Sequence, residues 1–216
     1  MSNVAPLQVD RPDRGVLFVV SGPSGVGKST LLKRAMARLP WLSFSVSATT
    51  RGPRRGEQNG VDYHFITPGE FRDRVEQEAF LEHATVYDRS YGTLRAPTEE
   101  ALSEGRCLLL DIDVQGAKNV KAALPEAVHL FVLPPSLAAL EARLRSRATD
   151  PEEVIARRMA QVATQLRGVD DAHYVVVNDN LEAAQACFEG VLLAETCRRA
   201  RRDRAVRRVL DSMPPR

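Results

Sequence analysis

A glycine-rich decapeptide at residues 21–30, SGPSGVGKST, constrains this chain more than any other stretch. Five apolar residues, VLFVV at 16–20, run straight into it. Behind it come Leu31, Leu32, Ala35, Met36 and Leu39 at helical spacing, closed by Pro40. The pattern predicts a buried strand, a tight loop and a helix opened by that loop. Gly22, four residues, then Gly27-Lys28-Ser29 is the spacing of a phosphate-binding loop. Its glycines let the backbone turn sharply and bring amide groups against an anion, and the helix N-terminus adds partial positive charge. In such a loop the lysine, here Lys28, reaches the outer phosphates of a nucleoside triphosphate. The Ser29 hydroxyl would hold Mg²⁺, directly or through water. Gly22, Pro23, Ser24, Gly25, Val26, Gly27, Lys28, Ser29 and Thr30 are therefore the candidate triphosphate-binding residues. An ordinary βα turn has no need of Lys-Ser-Thr at its exit. The loop is silent on what receives the phosphate.

Downstream, apolar runs at 44–46, 63–66, 80–87, 107–112, 128–133 and 174–177 read as strands. Helical patterns fall at 68–79, 97–103, 114–124, 136–147 and 151–166, with a long helix from residue 181. Strands without polar alternation between helices predict an α/β fold, with a parallel sheet covered on both faces and ligands at the carboxyl ends of its strands. Residues 47–95 interrupt this alternation and are expected to form an inserted lobe. Within it, 47–67 is rich in Gly, Arg and hydroxyls and reads as exposed loop, and 90–93 (SYGT) as a turn.

Composition removes several classes of function. A chain of 216 residues, 44% hydrophobic, suits one α/β domain with small insertions. A net charge of +2 gives no bulk electrostatic argument for nucleic acid or membrane. Cys107, Cys187 and Cys197 are odd in number and far apart, which suggests neither a disulfide framework nor a zinc site and fits a reducing cytoplasm. No apolar run is long enough to cross a bilayer, and residues 1–14 lack the apolar core of a signal peptide, so they are expected to be a frayed extension. The histidines, His64, His83, His129 and His173, lack metal-ligand spacing.

Two arginine clusters remain. Thr49-Thr50-Arg51-Gly52-Pro53-Arg54 sets two guanidinium groups three residues apart in a turn-rich segment, with Tyr63 following. Two forks and a phenol suit a monophosphate dianion, although solvated surface charge is an equal alternative on these residues alone. At the other end, Arg198, Arg199, Arg201, Arg202, Arg204, Arg207 and Arg208 crowd into a short segment. It is expected to be an exposed helical extension, with a weak polyanion-binding arm as the sharper reading.

From about residue 15 to residue 194 the chain resembles guanylate kinase. The resemblance is carried by SGPSGVGKST, SVSATTRGPRRGEQNGVDYHF, FLEHATVYDRSYGT, LLLDIDVQGAK, arginines in 143–158, and VVVNDN at 175–180. The TTRxPRxGExxGxDYxF run behind a phosphate loop is the most specific of these. The resemblance implies ATP-dependent phosphoryl transfer to GMP, and by extension dGMP, with Mg²⁺ as cofactor. It implies a core (15–46, 96–142, 169–194), a GMP-binding lobe (47–95) and a lid (143–168), leaving 1–14 and 195–216 as extensions. It assigns Arg51, Arg54, Tyr63 and Tyr91 to the GMP phosphate, and Ser47, Glu82 and Thr93 to guanine. Asp111 and Asp113 fall near GMP and the metal–phosphate region. Arg147 and Arg158 become lid arginines that close on the transferring phosphate, with Lys28 and Arg54 completing the catalytic set. Arg143 and Asn178 fall near adenine.

The chemistry agrees with these roles. Guanine offers N1–H and the 2-amino group side by side, and one carboxylate such as Glu82 accepts both. Adenine would leave that buried charge unpaired. Phosphoryl transfer needs alignment and positive charge rather than a general base, because the acceptor is already an anionic oxygen. Two positions depart from the family pattern: Ala148 stands where Gly is usual, which would stiffen the lid turn, and Ala48 where Ser is common. Two other functions fit parts of the pattern. One is a guanylate-kinase-like interaction module without catalysis; the other is a phosphate-loop kinase for another phosphorylated acceptor. Oligomeric state is not legible in the residues.

Overall fold

The structure, a computed structural model, describes residues 9–86, 88–146 and 152–214. Its centre is a five-stranded sheet of β1 (Leu17–Ser21), β2 (Leu42–Phe44), β7 (Cys107–Asp111), β8 (Val128–Leu133) and β9 (Tyr174–Val177). The order is β2-β7-β1-β8-β9 and every pairing is parallel. Helices α1 (Lys28–Arg38), α5 (Leu137–Ser146), α6 (Glu152–Leu166) and α7 (Leu181–Thr196) pack on one face. Helices α3 (Arg95–Ser103) and α4 (Val114–Ala123) pack on the other. The first strand shows why: Val16, Phe18 and Val20 join one core, while Leu17 and Val19 join the second. Side chains alternate across a strand, so a run buried at every position needs cover on both sides. Phe18, Phe131 and Phe188 are fully buried, each stabilising the fold by about 1.5–3 kcal/mol.

A second sheet is built wholly from residues 48–94. It has four strands, ordered β4-β3-β6-β5: β3 (Ala48–Thr49), β4 (His64–Phe65), β5 (Phe80–Val86) and β6 (Arg89–Leu94). Between β4 and β5 runs α2 (Pro68–Glu76). Its capping box pairs the Thr67 hydroxyl and the Glu70 carboxylate with each other's backbone amides, and Pro68 opens the first turn. Phe71 stacks on Phe80 (4.6 Å between centroids) and, with Ala48, forms a small separate core.

Several sequence expectations need correction. SYGT (90–93) is not a turn: it lies inside β6, paired antiparallel with β5 and β3. Within 47–67 the strand expected at 63–66 is present as β4, and a second short strand, β3, lies where loop was expected. The strand expected at 44–46 is shifted to Leu42–Phe44. β9 is an edge strand with only Val176 buried; Val175 and Val177 face solvent. The expected frayed segment is anchored in its last residues: Pro12 is buried, and Asp13 donates from its backbone to the Arg201 carbonyl and accepts at Oδ2 from the Arg204 amide.

That contact docks the arginine-rich end. Its short helix α8 (Asp203–Leu210) is exposed as expected, but much of the arginine cluster is engaged. Arg201 and Arg202 donate to the carbonyls of Gly15 and Thr196. Arg198 pairs with Glu195 and Arg199 with Asp203. No helix among the described residues is long and apolar enough to cross a membrane.

Candidate active site

The site begins where β1 ends. Gly22 has φ +141°, and a Cβ there would lie 2.4 Å from the Val132 carbonyl on the neighbouring strand. Gly27 has φ +99° and caps α1, and a Cβ there would lie 2.4 Å from Asn178 Nδ2. Both positions therefore require glycine for conformation and for space. Helix α1 has no side-chain cap, so its first-turn amides keep their capacity for an anion. Pro23 and Val26 are buried and seat the loop on the core, and Gly25 packs against Leu144 of α5. The hydroxyl-bearing Ser24, Ser29 and Thr30 are exposed.

Lys28 folds back over the loop. Its Nζ donates to the Gly22 carbonyl at 2.8 Å and lies 3.9 Å from Asp111 Oδ1. Burial lowers its pKa, opposed by the charges of Asp111 and Asp113. Asp111 is the last residue of β7, at the mouth of the cleft; surrounding protein raises its pKa, with Lys28 pulling the other way. Asp113 caps α4, its Oδ1 accepting from the Gly116 amide at 2.8 Å.

Asp111 links the loop to a second pocket. A cavity of about 180 Å³ is lined by Ser47, Tyr63, Glu82, Tyr91, Asp111 and Asp113, together with Ala84 and Ile112. Residues from both sheets thus meet in one space. Glu82 is 7% exposed, and its Oε1 accepts the Thr93 hydroxyl at 2.7 Å. Burial raises its pKa, with Asp113's charge adding and the Thr93 hydrogen bond opposing. The pairing register between β5 and β6 shifts between Phe80 and Glu82, an irregularity of the kind that re-aims a side chain. Leu81 enters the core against α4 while Glu82 faces the cavity. Gly116 makes room for it, since a Cβ there would lie 3.2 Å from Glu82 Oε2. A larger depression, about 420 Å³, is lined by Glu78, His83, Arg95 and Asn119 and by the edge of Glu82, without a phosphate-loop residue.

Arg51 stands against Tyr63, which lines the 180 Å³ cavity. Its guanidinium lies 5.3 Å from the Tyr63 ring centroid, within cation–π range, and Tyr91 meets Tyr63 edge-on at 6.1 Å. Glu57 grips the same guanidinium with both oxygens, at 2.8 Å each. The grip raises Arg51's pKa and, with the Arg54 amide, holds the Glu57 carboxyl down at about 2. Arg54 is exposed, and its backbone amide donates to Glu57 at 2.7 Å; it does not line the cavity.

The adenine-side assignments divide. Asn178 is 5% exposed, and its Nδ2 donates to the Val26 carbonyl at 2.8 Å. The side chain expected near adenine thus also holds the phosphate loop. Arg143 on α5 and Arg158 on α6 are half-buried. Arg147, Ala148 and the side chain of Arg157 lie outside the described residues. Between α5 and α6, Arg145 bridges Glu141 (2.9 Å) and Glu152.

Sequence reasoning assigned no role to Glu57, Gly116 or Arg145. Glu57 is a fixed letter of the TTRxPRxGExxGxDYxF run, but its contact with Arg51 and the Arg54 amide is visible only once the loop is known. Gly116 lies in a helix, where its absent side chain leaves no periodic signal.

Comparisons with known proteins show the family. The sequence model of the guanylate kinase family matches residues 14–195. A guanylate kinase of Anaeromyxobacter dehalogenans is 48% identical over 204 residues, covering 94% of this chain and 89% of that one. One from Clostridium perfringens (strain ATCC 13124) is 44% identical over 191 residues, covering 88% of each. Among solved structures, guanylate kinase from Anaplasma phagocytophilum superposes with a TM-score of 0.66 at 31% identity, covering 88% of this chain and 91% of the other. A match this long and this similar over the phosphate loop, the lobe and the core places the chain in the guanylate kinase family.

Proposed function

We propose that this chain is an ATP-dependent guanylate kinase, which moves the γ-phosphoryl group of ATP to GMP and releases ADP and GDP. One observation carries the reading: a buried carboxylate, Glu82, faces the cavity that reaches Asp111, 3.9 Å from the phosphate-loop lysine. Guanine fits that carboxylate. Its N1–H and 2-amino group would give Glu82 the donors that only Thr93 now supplies. Ser47 lines the same wall. Tyr63, Tyr91 and Arg51 surround the far end, where the GMP phosphate would lie, with Arg54 reaching in from the exposed loop.

In this arrangement the triphosphate sits on the backbone N–H groups of residue 22 and residues 24–30, with Lys28 at its outer phosphates. A GMP phosphate oxygen attacks the γ-phosphorus, and the bond to the β–γ bridging oxygen breaks as ADP leaves. Lys28, Arg54 and the lid arginines Arg147 and Arg158 supply positive charge to the equatorial oxygens, with Arg143 nearer the adenine. Residues 143–168 act as the lid and 47–95 as the acceptor lobe. Family kinases that use ATP generally need Mg²⁺, and the donor set here suits it: the exposed Ser29 hydroxyl and the Asp111 carboxylate are hard oxygen ligands. Among the described residues no group of three or more His, Cys, Asp or Glu could hold a metal. The ion would therefore come with the nucleotide, neutralising phosphate charge. Three free cysteines, two of them exposed, support a cytoplasmic location.

An ADP-release assay with GMP, dGMP, AMP and UMP as acceptors tests the proposal. Turnover with GMP and dGMP, and at least about 100-fold less with AMP and UMP, is expected. Equal use of AMP, or no turnover with GMP, would refute it.

A further inference from the structure

Glu57 belongs to no substrate contact in the reading above, yet it is the most heavily engaged carboxylate of the lobe. Its Oε1 accepts from Arg51 Nη2, and its Oε2 accepts from Arg51 Nη1 and from the Arg54 amide, all within 2.7–2.8 Å. The pair is well shielded, the two side chains being 14% and 19% exposed. Arg51 Nη1 also donates to the Gly52 carbonyl at 2.8 Å. Above the guanidinium lie the rings of Tyr63 and Phe65, at 5.3 and 5.8 Å.

A donor count shows what remains. A guanidinium has five N–H groups. Nη1 uses both of its own, on Glu57 and Gly52, and Nη2 uses one on Glu57. Left over are Nε–H and the second Nη2–H, which together form the lateral edge of the fork. Tyr91, which lines the cavity, lies close enough to this arginine to help raise its pKa. Glu57 therefore occupies the end of the fork and leaves the edge that can grip two oxygens of one phosphate.

We infer that Glu57 is a positioning residue for the acceptor phosphate: it locks Arg51 with its lateral edge presented to the cavity, and by tying the Arg54 amide it keeps both arginines on one closed turn. The inference rests on the proposed guanylate kinase reading and deepens it. A long arginine side chain loses much rotamer freedom when it grips an anion. A lock already closed in the empty site removes that loss from the binding step. The lock holds at every working pH, because Arg51 and the Arg54 amide keep the Glu57 carboxyl at about 2. The opposite role is also physically coherent, with Glu57 imitating the phosphate and competing with it, and the two roles differ in sign.

The test uses the full chain with Glu57→Gln, Glu57→Asp, Arg51→Ala and the double variant Arg51→Ala/Glu57→Gln. GMP kinetics are measured at saturating ATP, and guanosine serves as a phosphate-free binding probe. Glu57→Gln is expected to raise KM for GMP about tenfold, with kcat, KM for ATP and guanosine affinity within about twofold of wild type. Glu57→Asp, which keeps the charge, should fall between the two. In the Arg51→Ala background the Glu57 change should alter KM for GMP by less than about twofold, since its route is already removed. Three results would overturn the inference: guanosine binding lost in step with GMP, GMP binding that tightens, or single-variant effects that simply add. Absence of GMP turnover in the wild-type protein would overturn the underlying function as well, and is seen before any variant is made.

Discussion

The two ends of the cleft are built from different materials. The phosphate loop is ten consecutive residues whose chemistry is mostly backbone: amides at a helix start, held open by glycines whose Cβ positions are filled by Val132 and Asn178. The acceptor side is mostly side chain. Its residues come from both sheets and are spread along the chain from Ser47 to Asp113. What keeps them in place is side-chain pairing: Arg51 with Glu57, Glu82 with Thr93 and Asp113 with the Gly116 amide. A backbone site binds whatever carries the right phosphates, whereas a side-chain site can choose a base. Under the proposed function, selectivity for the acceptor base would follow from that contrast.

The contrast can be broken most severely at Lys28. Lys28→Ala should lower kcat by about 1,000-fold or more while the melting temperature stays close to wild type, measured by the ADP-release assay and calorimetry. A variant with wild-type turnover would remove the lysine from the chemistry.

Glu82→Gln comes next and should act on the acceptor alone. Its kcat/KM for GMP should fall about 100-fold with KM for ATP nearly unchanged. The same variant should melt at a higher temperature than wild type at pH 7, by about a degree or more. The sign follows from burial. The folded chain holds the Glu82 proton more tightly than the unfolded chain does, so wild-type stability falls as pH rises from the ordinary value of 4.5 through the raised one. The gap between variant and wild type should close below that ordinary value. GMP use by wild type, which needs the ionised form, should decline as pH drops through the raised pKa. A variant that melts lower at pH 7 would mean that the carboxylate is not strained by burial.

Asn178→Ala sharpens the donor side. Losing the amide leaves the Val26 carbonyl without its partner and should cost about 1–3 kcal/mol of stability. KM for ATP should rise more than KM for GMP. A rise in KM for ATP without loss of stability would return Asn178 to direct contact with the base. The smallest effect is expected from Gly116→Ala, whose methyl would crowd Glu82: a few-fold higher KM for GMP and little change toward ATP.

The same contrast explains what could be read from sequence. The phosphate loop was legible because its function is local: glycine spacing, the preceding apolar strand and the following helix all lie within one window. Four of the five core strands were legible as apolar runs; β2 (Leu42–Phe44) overlaps the expected 44–46 only at Phe44, and in β9 Val175 and Val177 read as core and lie exposed on an edge. The lobe was harder. SYGT has the composition of a turn, yet pairing with β5 and β3 makes it strand, a tertiary effect that no local propensity records. Glu82 could be suspected from its resemblance to the family, but its burial depends on a register shift and on a glycine thirty-four residues away. Asn178 carries a contact that the sequence did not signal: besides the place near adenine that the resemblance implies, its amide holds the phosphate loop.

The central claim is that one cleft holds two anionic nucleotides at once, end to end. Titration calorimetry of GMP into protein saturated with Mg²⁺ and a non-hydrolysable ATP analogue tests it directly. One GMP should bind per chain with the analogue retained, and Glu82→Gln should weaken that binding without releasing the analogue. Displacement of the analogue by GMP would mean a single shared site and would contradict the account.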